Sequence, residues 1–154
     1  MSNSKPQLPA QEPPYDPSRP FPDLQLLYNN RIPNCPGMSI VAVQVNFLPN
    51  ASTPPHTHAG AFVSVNVVSG YVFNKMNDDP MELFGPGETF TEHPRCRHTI
   101  SDNASVTEPA VIVATMIVDT KVVEANGIHG LMVIDEKYRQ MVQEAQQKSQ
   151  APRA

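Results

Sequence analysis

Three histidines carry most of the chemistry this sequence can do. His56 and His58 stand two residues apart in Pro54-Pro55-His56-Thr57-His58, and His98 closes His93-Pro94-Arg95-Cys96-Arg97-His98. In an extended chain alternate side chains share a face, so His56 and His58 point the same way. Their Cα atoms then lie about 6.6 Å apart, at roughly 3.3 Å per residue. That spacing lets two imidazoles converge on one ion at metal–nitrogen distances of about 2.1 Å. A third imidazole on a neighbouring strand, His98, completes a three-nitrogen face and leaves coordination positions open, as reactive sites do and closed structural sites do not. The expected cofactor is a divalent transition metal: iron, zinc, nickel, copper or manganese. The alternative is three polar surface residues beside a proline turn.

Glu92 and His93 come shortly before His98 and are the candidate catalytic acid–base pair. A carboxyl group beside an apolar cavity can have its pKa raised into the useful range, and an imidazole titrates near neutrality unaided. The competing expectation pairs Glu92 with Arg95 or Arg97 at a rim. Those two arginines are candidate grips for a carboxylate or enolate oxygen, or else solvated rim charges. Val63 and Val65 are expected to line the cavity or fill the core, and an apolar lining selects an apolar or aromatic substrate. Cys96 is read as packing, and His129, after Asn126-Gly127, as an exposed loop residue.

The elements that must hold these groups are strands. Seventeen prolines in 154 residues oppose a mainly helical fold. Val41, Val43, Val45 and Phe47 alternate with Ala42, Gln44 and Asn46, and Val63, Val65 and Val67 alternate with Ser64 and Asn66. Tyr71–Met76 reads as the hairpin partner of Ala61–Val68. Further short strands are predicted at 82–84, 88–91 and 97–101, with a central strand over 110–118. Asn126-Gly127 predicts a hairpin within 122–134. Only 135–148 has helical spacing, with Asp135 as its cap and Tyr138, Met141, Val142 and Ala145 as its apolar stripe. Residues 24–28 are an edge strand or a single helical turn. The division is a proline-rich arm over 1–22, disordered or draped over a partner subunit, a β-barrel domain over 23–134, and a helix and tail over 135–154.

Charge and composition exclude several functions. A net charge of −4 and a pI near 5.7 oppose nucleic-acid binding, which needs a clustered basic face. No apolar run reaches the roughly 18 residues of a membrane span, and the opening residues lack a secretory apolar core. Two cysteines make no disulfide framework, so a reduced, cytoplasmic setting is expected.

The segment from Asn50 through His56-Thr57-His58 to Gly70 resembles the first cupin motif, and Gly87 through His98 to Asn103 resembles the second. Asn50 takes the first glycine position, a mild exchange in a left-handed turn. Val63 takes the position of the glutamate ligand, a real departure. The resemblance spans residues 38–119. It implies an all-β double-stranded β-helix, the cupin jelly roll, with a short C-terminal helix and a site in the barrel mouth. It also implies that His56, His58 and His98 are the metal ligands. Without the glutamate, such a centre is less negative, more electrophilic and one position more open. The implied activity is an enzyme of secondary-metabolite type acting on a small apolar molecule, by oxygenation or by Lewis-acid isomerisation, cyclisation or lyase chemistry. The alternatives are a metal-free cupin using Glu92 or His93 as acid or base, and a non-catalytic binding cupin. A homodimer is the expected assembly.

Overall fold

Alternating apolar residues dictate which way each strand faces. A computed structural model describes residues 5–150; the first four residues of the arm and the last four of the tail lie outside the described residues. The strands are β1 (Asp23–Arg31), β2 (Met38–Phe47), β3 (Ser52–Thr53), β4 (His56–Thr57), β5 (Phe62–Ser69), β6 (Val72–Met76), β7 (Glu82–Phe84), β8 (Thr89–Glu92), β9 (His98–Asn103), β10 (Ala110–Asp119) and β11 (Val133–Ile134). They form two antiparallel sheets. One runs β1-β2-β10-β5-β8; the other runs β11-β4-β9-β6-β7, with β3 also paired to β9. Val41, Val43, Val45 and Phe47 of β2, Val63, Val65 and Val67 of β5, and Ile112, Met116 and Val118 of β10 are all buried between the sheets. Each such side chain contributes about 1.5–3 kcal/mol when taken fully out of water. The run over 110–119 is central, as its composition predicts: β10 pairs with β2 on one side and β5 on the other.

Three local expectations are corrected. β6 is not the hairpin partner of β5; β5 pairs with β10 and β8, whereas β6 crosses to the other sheet and pairs with β7 and β9. Gly70 makes that corner with φ +72°, and a Cβ there would meet the Pro109 carbonyl oxygen at 2.5 Å and Ala110 Cα at 2.7 Å. The Asn126-Gly127 pair makes no hairpin. It ends a helix, α1 (Thr120–Asn126), which starts where the Asp119 carboxylate accepts a hydrogen bond from the Lys121 N–H and closes where the Gly127 N–H donates to the Val123 carbonyl. A 3-10 turn over Ile128–Leu131 follows, and it delivers β11 to β4. Finally, Asp135 precedes α2 (Glu136–Gln150), and its carbonyl accepts from the Tyr138 and Arg139 N–H groups while its carboxylate turns away to Arg97.

Residues 5–22 run along the second sheet without regular secondary structure. The Ser52 N–H donates to the Pro20 carbonyl at 2.9 Å. Arg19 donates from Nη1 to Asp102 Oδ2 at 2.9 Å and from Nε to the Asn50 carbonyl at 2.9 Å. Tyr15 packs edge-on against Tyr138 of α2, with ring centroids 5.5 Å apart. Among the described residues no helix is long and apolar enough to cross a membrane.

Candidate metal centre

Pro54 and Pro55 hold the chain extended into β4, so His56 and His58 share the inward face. β4 lies on β9 with His56 directly opposite His98. The three imidazoles therefore meet between the sheets, with potential ligand atoms all within 4.8 Å of one another. His56 is 2 % exposed and His98 4 %.

Hydrogen bonds fix which nitrogen faces inward in two of the three rings. His56 Nδ1 lies 2.7 Å from the Pro54 carbonyl, and His58 Nδ1 lies 2.9 Å from the Leu131 carbonyl. A carbonyl only accepts, so both Nδ1 atoms carry the hydrogen and both Nε2 atoms keep a lone pair when the rings are neutral. Those two Nε2 atoms stand 3.2 Å apart. Two lone pairs that close require a positive species between them: a proton or a metal ion. Backbone carbonyls anchoring the far nitrogens are also the usual outer support of metal-binding imidazoles. The residues present fit a divalent metal.

Glu92, on β8, enters the same space and is 3 % exposed. Its Oε1 lies 3.0 Å from His98 Nδ1 and 3.3 Å from His58 Nε2. Burial pushes the His56 pKa down to about 3, helped by His98 and His58. Burial also disfavours charge on His58, but Glu92 beside it and the Leu131 carbonyl outweigh that and hold its pKa above the ordinary value. Burial alone would raise the Glu92 carboxyl; the His98 and His58 imidazoles hold it well below the usual carboxylate range. Glu92 is therefore an anion here, and the expectation of a raised acid is not what its surroundings produce.

The cavity beside these groups measures about 40 Å³, with Phe47, Val65, Ile112, Ala114 and Met132 among its apolar walls and Thr53 and Ser101 among its polar ones. Val63 is fully buried on β5, facing Glu92 across the strand pair. The other candidates lie outside this lining. His93 is exposed, with its ring 6.2 Å from that of Phe62. Arg95 is exposed, and Arg97 pairs with Asp135. Leu131 escaped notice in the sequence because the hairpin expected over 122–134 gave its carbonyl no route to the histidines. Glu92 carried a legible signal: it alternates with Phe90 on β8, so both face inward.

No family model matches the sequence, and no curated protein matches it either. Solved structures do. A double-stranded β-helix protein from Klebsiella pneumoniae matches with TM-score 0.52 at 16% identity, over 69% of this chain and 90% of that one. A cupin domain from Bordetella pertussis matches with TM-score 0.52 at 19% identity, over 65% and 96%. The chain has a cupin fold. The Cnp3 cupin domain of Schizosaccharomyces pombe is similar to it as well, with TM-score 0.50 at 19% identity over 73% of this chain and 72% of that one. Asn50, before the strand pair that carries the histidines, adopts φ +66°, a left-handed turn.

Proposed function

We propose that this cupin is a metal-dependent enzyme acting on a small, largely apolar organic molecule. His56, His58 and His98 hold a divalent transition metal, which when bound supplies either oxygen chemistry or Lewis-acid activation for isomerisation, cyclisation or bond cleavage. The observation that carries the reading is the pair of Nε2 lone pairs facing each other at 3.2 Å with both Nδ1 hydrogens committed to backbone carbonyls. The Pro54 and Leu131 carbonyls orient the rings. Phe47, Val65 and Ile112 exclude water and select apolar groups. The cavity of about 40 Å³ holds little more than a water molecule. Substrate entry therefore displaces Met132, whose three side-chain torsions make it the most adaptable wall. His93, Arg95 and Arg97 reach substrate only outside the cavity, at the rim. The acidic net charge suits neither nucleic acid nor an anionic membrane surface, and the same reading has the molecule work as a homodimer through β1.

The test is metal content by elemental analysis after reconstitution with iron, zinc, nickel, copper or manganese. Wild type is measured beside His56→Ala, His58→Ala and His98→Ala, with circular dichroism confirming folding. Near-stoichiometric metal in wild type, lost in each variant, is the expected result. Wild type that takes up none of the five ions overturns the reading and leaves a metal-free pocket built on Glu92.

A further inference from the structure

We infer that Glu92 is a fourth ligand of the metal, supplying from β8 the carboxylate missing at Val63 on β5. This rests on the metal-dependent reading above and assigns Glu92 a different task from acid–base catalysis. The strand register is the first support. Val63 stands directly opposite Glu92 in the antiparallel β5–β8 pair, and residues so paired share a face with Cβ atoms about 4.5–5.5 Å apart. A glutamate on either strand projects into the same volume. Val63 is fully buried beneath it, so the exchange of side chains between strands keeps one small apolar and one acidic group in that place.

The second support is the burial of the carboxyl group. A buried polar group needs a partner, and neither nearby arginine provides one: Arg95 is exposed and Arg97 is bound to Asp135. Glu92 Oε1 instead approaches two imidazole nitrogens, yet it receives no directed hydrogen bond, and His98 Nε2 is likewise buried without a partner. These donors crowd together without satisfying one another. The three pairs in contact have the separations of neighbours around one ion. His56 Nε2 to His58 Nε2 is 3.2 Å, His58 Nε2 to Glu92 Oε1 is 3.3 Å, and Glu92 Oε1 to His98 Nδ1 is 3.0 Å. Ligands held about 2.1 Å from a metal are about 3.0 Å apart at right angles and about 3.4 Å apart at tetrahedral angles. With Glu92 included, the donor set regains the negative charge lost at Val63.

The experiment uses the full chain and two readouts other than activity: zinc affinity by chelator competition, and the visible absorption of the cobalt(II)-loaded protein. Glu92→Gln is expected to weaken zinc binding about tenfold or more and to shift the cobalt bands. Loss of an outer-sphere carboxylate can also weaken binding about 10–100-fold, so affinity alone does not decide. Glu92→His restores a donor and is expected to recover tight binding with a new cobalt spectrum. The exchange Val63→Glu with Glu92→Val is expected to recover the wild-type spectrum; if that pair fails to fold by circular dichroism, Gln and His at 92 decide between them. Wild type and Glu92→Gln binding zinc equally, with the same cobalt spectrum, overturns the assignment of Glu92 alone. So does a Glu92→His spectrum identical to that of Glu92→Gln. No metal in wild type overturns the metal centre itself, and this assignment with it.

Discussion

Burying His56 at 2 % exposure and lowering its pKa to about 3 makes it a sensor of acid in the metal-free protein. Unfolded, an imidazole titrates near 6.5, so between that pH and about 3 the unfolded chain binds a proton that the folded chain refuses. Stability from this source is present above pH 6.5 and is lost as the pH falls below it. His58, with its raised pKa, contributes fully below 6.5, and Glu92, with its lowered pKa, loses its contribution only below its ordinary 4.5. Over pH 6.5 to 4.5 His56 therefore contributes a slope of up to about 1.4 kcal/mol per pH unit, or about 2 kcal/mol across the window. Urea unfolding of metal-free wild type beside His56→Asn measures it. The variant is expected to lose about 2 kcal/mol less over that interval, because the other carboxylates titrate in both proteins. A metal ion holds the imidazoles deprotonated, so saturating zinc at pH 6.5 raises wild-type stability and leaves the variant nearly unchanged.

Among the elements, the arm is fastened by one nearly buried ion pair. The Arg19 and Asp102 side chains are 14% and 6% exposed, and Ser52 Oγ donates to the second Asp102 oxygen at 2.6 Å. Removing one partner of such a pair leaves the other charge stranded, at a cost of about 3–5 kcal/mol. Arg19→Ala is expected to fall in that range by urea unfolding and to open residues 5–22 to limited proteolysis, while the double change Arg19→Met, Asp102→Asn recovers part of the loss. The corner at Gly70 gives a second test: Gly70→Ala forces a Cβ into the Pro109 carbonyl and is expected to destabilise more than Gly127→Ala, where no atom lies within 4 Å of the new Cβ. The same two glycines mark where the sequence was legible and where it was not. Period-two alternation exposed β2 and β5, the unbroken apolar run exposed β10, and the i, i+2 spacing put His56 and His58 on one face, because these are local properties. The destination of β6 depends on how Gly70 packs against a strand forty residues later in the chain, which no local pattern records. α1 was hidden by its valines, which favour strands, and by an Asn-Gly pair that ends helices as readily as it turns hairpins. Misreading that segment also hid the Leu131 carbonyl that orients His58.

For the whole molecule, the unfinished surface is β1. Leu24 and Leu26 pair with Val45 and Val43 and so face the core side of the first sheet, yet they are far more exposed than those partners. They are 43% and 46% exposed, and Leu27 and Tyr28 on the same strand are 43% and 41% exposed. Among the described residues β1 is also an edge strand, and edge strands carry a row of backbone groups open to pairing. A long apolar edge strand left open to water invites association, and a second copy carries the same surface, so an isologous two-fold pairing satisfies both at once. Stable pairing calls for about 1,200–2,000 Å² of total buried surface, which requires the flanks of β1 as well as its leucines. Sedimentation velocity on the full chain is expected to show a dimer at micromolar concentration, and Leu24→Ser with Leu26→Ser to shift it to monomer by tenfold or more in dissociation constant. The cavity wall at Val45 lies one strand away from Leu24. Dimer loss that leaves zinc affinity unchanged would separate assembly from the metal centre; a parallel fall in both would show that the partner's cover on β1 stiffens the strand behind the site. A monomer in wild type removes β1 as an interface.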